Sequence, residues 1–259
     1  MKKIIRNILL SLLFVNLHVC AVTLESESLK DIYKYVDSDS VVVFDIDHTV
    51  IENTIDFDTW LPQKIKELQQ QGLNEKDAVL YSLSMYYTFQ PFINFYPIGG
   101  SKEVIADLQS KKIPVIALTN RSIPASQVTL EQMKKIDIDF STTSLFDKDL
   151  NLAITHSGKF SEGIIFSGAN DKGRMLVAFF DAIKYVPKKV IFIDDKLKYV
   201  KAVEREIEKR GIEYVGIRFS LQDKKKDSVN FDQLEESLYQ LKVKIGLEPL
   251  SKETVDYFG

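Results

Sequence analysis

A single cysteine, Cys20, stands in 259 residues, so no disulfide can form within the chain and its stability has to come from a packed core. There is no basic surplus either. Lys and Arg number 34 against 37 Asp and Glu, a net charge of −3, which leaves no electrostatic footprint for nucleic acid. Internal repeats and low-complexity tracts are missing, and so is any long apolar run. The longest apolar stretch near the start, Ile8 to Val15, continues only weakly to Val22, and Asn16 and His18 make it a poor membrane span. With 45% hydrophobic and 27% charged residues, what remains is an ordinary globular composition, sufficient for one full core and a small accessory element.

The N-terminus reads as a secretory signal peptide over residues 1–21. Lys2, Lys3 and Arg6 precede the apolar run, and Val19-Cys20-Ala21 offers small residues at the −3 and −1 positions of a cleavage site. The competing readings are an uncleaved anchor and a lipoprotein joined through Cys20. The polar residues weaken the first, and the lack of small residues at His18 and Val19 weakens the second. The chain is thus expected to be exported, to the periplasm or beyond, and to meet a membrane only during export.

After residue 28 strand-like and helix-like segments alternate. Val41–Phe44, Pro114–Leu118, Val190–Ile193 and Tyr214–Phe219 suit buried parallel strands, with Ile136–Phe140 a weaker fifth. Helical spacing marks Ser101–Lys111, Gln127–Lys135, Lys172–Tyr185 and Lys198–Arg210, the last ending at Gly211 as a C-terminal stop. This order predicts an α/β fold, a parallel sheet covered on both faces. Residues 53–98 contain no good strand. They read as two helices, about Thr59–Gln71 and Glu75–Thr88, followed by an aromatic segment from Phe89 to Tyr96, the whole inserted directly after the first strand. Residues 154–168 read as a small hairpin, Lys224–Lys226 as a solvated turn, and Phe231–Val243 as a tail helix.

Ligands of open parallel sheets bind at the carboxyl ends of the strands. Three such ends carry polar or acidic residues here: Asp45-Ile-Asp47, Thr119-Asn120-Arg121 and Asp194-Asp195. Asp45 and Asp47 are spaced i, i+2, which in a strand places both on one face. Burying two carboxylates together is costly unless a cation or a proton holds them, and a metal site is one answer. Lys172 opens the helix before the Asp194 strand.

Taken in order, Asp45-Ile-Asp47-His-Thr49, Val115-Ile-Ala-Leu-Thr119, Lys172-Gly173 and Val190-Ile-Phe-Ile-Asp194-Asp195 resemble the four motifs of the haloacid dehalogenase-like superfamily. The resemblance covers about residues 40–220. It implies a three-layer Rossmann-like core over 22–52 and 99–259, with a small helical cap at 53–98. It also implies phosphoryl transfer: Asp45 as nucleophile, Asp47 as general acid and later base, and Thr119, Asn120 and Lys172 on the phosphate. Mg²⁺ would be held by the Asp45 carboxylate, the Asp47 backbone carbonyl and Asp194, with Asp195 acting through a water or by orienting Lys172. Lys102 and Lys196 are the residues most easily confused with Lys172.

Phe57-x-x-Trp60, Thr119-Asn120-Arg121 and the signal peptide are similar to secreted class C acid phosphatases. Asp194-Asp195-Lys196 and Gly163-Ile-Ile-Phe depart from them toward a less characterised bacterial branch. The expected function is an exported, Mg²⁺-dependent phosphatase acting on a small phosphomonoester. A haloacid dehalogenase-like binding module with little turnover, or a phosphotransferase, stands as the alternative. The segment from Tyr86 to Tyr96 reads first as cap core and second as a pocket wall for an aromatic or nucleoside leaving group. His48 fills a variable place in the first motif, and His156 reads as a surface residue.

Overall fold

The computed structural model describes residues 21–226 and 230–246. The signal-peptide reading falls mostly on residues 1–20, outside the described residues; Ala21 already opens the first strand. No helix among the described residues is long and apolar enough to cross a membrane.

The strands are β1 (Ala21–Ser26), β2 (Ser40–Phe44), β3 (Ile51–Asn53), β4 (Phe95–Pro97), β5 (Val115–Thr119), β6 (Leu150–Ala153), β7 (Ser157–Ser161), β8 (Ile164–Phe166), β9 (Lys189–Asp194) and β10 (Glu213–Phe219). The helices are α1 (Phe57–Gln70), α2 (Glu75–Phe89), α3 (Ser101–Ser110), α4 (Ser126–Lys135), α5 (Lys172–Ala182), α6 (Leu197–Glu208), the single turn α7 (Asp223–Lys226) and α8 (Phe231–Lys244). One sheet of eight strands runs β1-β10-β9-β2-β5-β8-β7-β6. It is parallel from β1 to β8 and antiparallel at β7 and β6.

Alternation along the strands builds the layers. Val42 and Phe44 of β2, with Ile191 and Ile193 of β9, join a core with Val104, Ile105 and Leu108 of α3. Their neighbours Val41, Val43, Val190 and Phe192 join a second core with Met175, Phe179, Val200 and Val203 of α5 and α6. A strand that is apolar at every position is therefore one that feeds two cores, which is why these runs read continuously hydrophobic. The result is the expected three-layer α/β architecture.

Two expectations change and two are refined. Ile136–Phe140 is a turn, not a strand. Asp137 sits at φ +56 just past α4, while Ile138 and Phe140 bury their side chains in the α3-side core. The place beside β5 goes instead to Ile164–Phe166, the second strand of the expected hairpin, which pairs antiparallel with β7 and parallel with β5 in the main sheet. The inserted segment does contain strands: β3 and β4 pair antiparallel and bracket α1 and α2. Lys224 to Lys226 lie in one helical turn, α7, opened by Asp223. In addition, β1 precedes the expected start of the fold and pairs with β10 at the sheet edge.

The helices of the insertion start at well-formed caps. The Asp56 carboxylate accepts from the Asp58 and Thr59 N–H groups, and Asn74 accepts from that of Asp77. Trp60 is buried and donates its indole N–H to Glu235 of α8, and Lys64 Nζ lies 3.0 Å from the same carboxylate. Leu234 and Leu238 of α8 complete a small core with Ile55, Trp60, Phe89 and Ile93.

Gly173 decides how close α5 can come to α6. A Cβ there would lie 2.1 Å from the Ala202 carbonyl oxygen. Gly173→Ala is expected to lower stability by about 1–3 kcal/mol through forced separation of the two helices. Urea unfolding measures this, and an unchanged midpoint would show that the helices part without cost.

Candidate active site

Because β2, β5 and β9 are parallel neighbours, their carboxyl ends meet on one edge of the sheet. Asp45, Thr119 and Asp194 gather there. Lys172, the first residue of α5, reaches in from the next layer and is only 1% exposed. Its Nζ donates to Asp45 Oδ1 at 2.6 Å and to Asp194 Oδ2 at 2.7 Å. The ammonium also lies 4.7 Å from the centre of the Tyr199 ring. Asp195 completes the group: one carboxylate oxygen from each of Asp45, Asp194 and Asp195 falls within 4.8 Å of the others.

Burial and mutual repulsion set the charges. Burial first, then Asp194, pushes Asp45 well above the ordinary carboxylate range, with Lys172 pulling the other way. Burial likewise raises Asp194, to about 6, against the pull of Lys172. Burial alone would lower Lys172, but Asp194 and Asp45 outweigh it and hold the ammonium firmly protonated.

Asp47 goes elsewhere. Its carboxylate is clamped by Arg121, Nε to Oδ2 at 2.9 Å and Nη2 to Oδ1 at 2.8 Å, and Asn53 Nδ2 donates to Oδ1 at 2.9 Å. Burial would raise Asp47, yet the Arg121 charge overrides it and keeps this carboxylate well below its usual range. Arg121 is itself buried, with Nη1 donating to Thr129 Oγ1 and Gln132 Oε1. The two aspartates of the first motif are thus divided between two buried cations. Sequence reasoning quoted Arg121 but gave it no work. An arginine at a strand end beside an acidic strand end is the signal that could have found it.

The remaining candidates take these places. Thr119 is buried, and its Oγ1 accepts the Arg121 N–H at 3.1 Å. Asn120 is exposed; its Nδ2 donates to the Tyr199 hydroxyl at 2.6 Å and its Oδ1 accepts from Ser167 Oγ. Thr49 is fully buried, and its hydroxyl has no hydrogen-bond partner among the described residues. Lys102 pairs with Asp137 at the surface, away from the strand ends, while Lys196 turns its ammonium to Asp58 of α1 and donates its backbone N–H to Asp194 Oδ1 at 2.8 Å. His48, at φ +60, places Nε2 3.3 Å from Asp56 Oδ1. Burial would raise Asp56, but the hydrogen bond and charge of His48 bring it down to about 2. His156 is exposed.

Residues 25–249 match the family described as "Protein of unknown function (DUF2608)". The chain belongs to that family. A Chlamydia trachomatis serovar D protein named "Putative outer membrane protein" is 28% identical over 213 residues, 78% of this chain and 77% of its own. A Rickettsia bellii protein named as uncharacterized is 20% identical over 223 residues, 78% of this chain and 75% of its own. Among solved structures, a haloacid dehalogenase-like family hydrolase of Streptococcus pneumoniae aligns over 68% of this chain and 92% of its own, at 13% identity and a TM-score of 0.46. A class C acid phosphatase of Bacillus anthracis with tungstate bound aligns over 74% of this chain and 71% of its own, at 13% identity and a TM-score of 0.38.

In this DUF2608 chain the donor set suits a hard divalent cation. Three buried carboxylates gather there, two of them bonded to the Lys172 ammonium and the third within electrostatic reach of Lys196 and Arg218. Carboxylate oxygens are the ligands that Mg²⁺ prefers. Asp195, expected to act from behind the ligands, brings a carboxylate oxygen within 4.8 Å of those of Asp45 and Asp194, while the Asp47 side chain is committed to Arg121 and Asn53.

Proposed function

We propose that this protein is an exported, Mg²⁺-dependent phosphatase that cleaves phosphomonoesters through an aspartyl phosphate on Asp45. The observation that carries the reading is the Lys172 ammonium, buried and bonded at once to Asp45 and Asp194. It holds the Asp45 carboxylate in one orientation at the sheet edge, and two of its three N–H groups are used in doing so. The third is the donor a phosphoryl oxygen would take. Thr119 and the exposed Asn120, from the neighbouring strand end, would hold further phosphoryl oxygens. Held by Asp45, Asp194 and Asp195, Mg²⁺ would supply the charge that lets an anionic substrate approach three acids.

The chemistry divides between the two aspartates. An Asp45 oxygen attacks phosphorus as the bond to the leaving oxygen breaks. Asp47 hands a proton to that oxygen, then takes one from the water that attacks the aspartyl phosphate. The Arg121 clamp keeps Asp47 ionised, the form suited to the second half of the reaction. Its first half needs the clamp to loosen and Asp47 to take up a proton from solvent as substrate enters. The insertion of α1 and α2 would serve as the cap. The basic-then-apolar N-terminus supports export, and the name of the chlamydial relative is in keeping with it.

The test is hydrolysis of p-nitrophenyl phosphate by the purified protein. Mg²⁺-dependent turnover, abolished by EDTA and restored by added Mg²⁺, is expected. No turnover at any Mg²⁺ concentration would overturn the phosphatase reading, and turnover surviving exhaustive chelation would overturn the metal.

A further inference from the structure

A cavity of about 220 Å³ opens beside the Asp47 carboxylate, where a leaving group would sit, and runs under the helical insertion. Its apolar wall is formed by Phe57, Leu61, Leu83, Tyr86, Tyr87 and Ile93. The rings meet edge to face, Phe57 to Tyr86 at 4.7 Å and Tyr86 to Tyr87 at 5.1 Å between centroids. The Tyr87 hydroxyl is tied to Ser122, which fixes that side of the wall. Edge-to-face clusters of this kind accept a further aromatic ring in the same manner.

Charge and size narrow the occupant. Arg121 is spent on Asp47, His48 faces Asp56, and Asp58 pairs with Lys196. The charges around the cavity are thus matched within the protein, and an anionic leaving group would find no cation waiting. Pockets for drug-sized ligands run to roughly 300–1,000 Å³, so this one suits a single ring. A polar detail points the same way. Gln90 lines the cavity, is 4% exposed, and its Nε2 has no hydrogen-bond partner among the described residues, although its backbone oxygen accepts from Gln132. Buried donors are seldom left unmet, and a ligand acceptor would satisfy this one.

We propose that this cavity is a leaving-group subsite for a small, uncharged, single-ring aromatic alcohol bearing a hydrogen-bond acceptor, which the Gln90 side-chain amide engages. The proposal rests on the phosphatase reading for its placement beside Asp47, but the subsite can be tested apart from the chemistry. Trp60, the sole tryptophan, stands edge-on to Phe57 at 5.4 Å and reports on the cavity wall.

The experiment has two arms on the full chain. In the first, 4-hydroxyacetophenone, an uncharged phenol with an acceptor opposite its hydroxyl, is titrated against Trp60 fluorescence. Saturable quenching is expected, weakened about tenfold in Gln90→Met, the loss of roughly one hydrogen bond. No saturable change in the wild type would overturn the subsite. The second arm compares kcat/KM for 4-acetylphenyl phosphate, phenyl phosphate, a nucleoside monophosphate and phosphoglycolate, with acetyl phosphate reporting the chemistry alone. A preference for 4-acetylphenyl over phenyl phosphate that falls about tenfold in Gln90→Met would support the proposal. Faster turnover of phosphoglycolate or of the nucleotide would overturn it. Phenol binding without turnover of any ester, acetyl phosphate included, would sustain the subsite and sink the phosphatase. Acetyl phosphate turnover without phenol binding would do the reverse.

Discussion

Lys172→Met should cost about 3–5 kcal/mol of stability, because it leaves Asp45 and Asp194 buried without the cation they share. Their side chains are 8% and 0% exposed, so water cannot take over the role. Methionine keeps the unbranched stem but ends one atom short, so it removes the ammonium with its charge and donors. Denaturant unfolding in the absence of divalent cations should show the whole loss. Excess Mg²⁺ should return part of it, since a cation bound only by the folded state stabilises that state by mass action. A loss under about 1 kcal/mol would mean that the two carboxylates are carried as neutral acids, and the account of an ionised pair held by Lys172 would fail.

The second large effect separates catalysis from folding. Asp45→Asn should reduce Mg²⁺-dependent phosphomonoester hydrolysis by about 10³-fold or more, since an amide cannot form the phosphoryl intermediate. Its thermal midpoint should hold or rise. Asp45 is crowded by Asp194 and Asp195, and burial already disfavours its charge, so removing that charge relieves repulsion while Asp194 still holds Lys172. Turnover within tenfold of the wild type would remove Asp45 from the nucleophile role. Asp47→Asn would not give so clean an answer, because it strips a buried Arg121 of its anionic partner and confounds chemistry with stability.

The strands that were legible are those buried on both faces. β2, β5 and β9 stand out as unbroken apolar runs, and the chemistry at their ends could be read from the polar residues that stop each run. β1 was not legible. Ala-Val-Thr-Leu-Glu-Ser alternates poorly, lies at a sheet edge, and is mostly part-exposed, so only its pairing with β10 makes it a strand. Ile136–Phe140 misled for the opposite reason: Ile138 and Phe140 are apolar because they plug a core, with no ladder partner between them. β3 and β4 are three residues each, too short for any period to show. At the site, Lys172 and the acids were visible because each carries a charge at an element boundary. Arg121, Asn53 and Gln90 were not, because their roles depend on what the fold brings across from α4, β3 and the end of α2.

The packing of α8 on the insertion has a consequence for truncation. Trp60, Lys64 and Phe89 are backed by Leu234, Glu235 and Leu238, residues from the far end of the described chain. A polypeptide ending soon after β10 would keep every acid, the lysine and the sheet that aligns them. It would nonetheless expose the back of the aromatic wall to water, leaving α1 and α2 without Leu234 and Leu238, the two buried leucines that close their shared interior. The entrance to the strand-end cluster is thus shaped by the last helix described, which touches none of the groups proposed for the reaction.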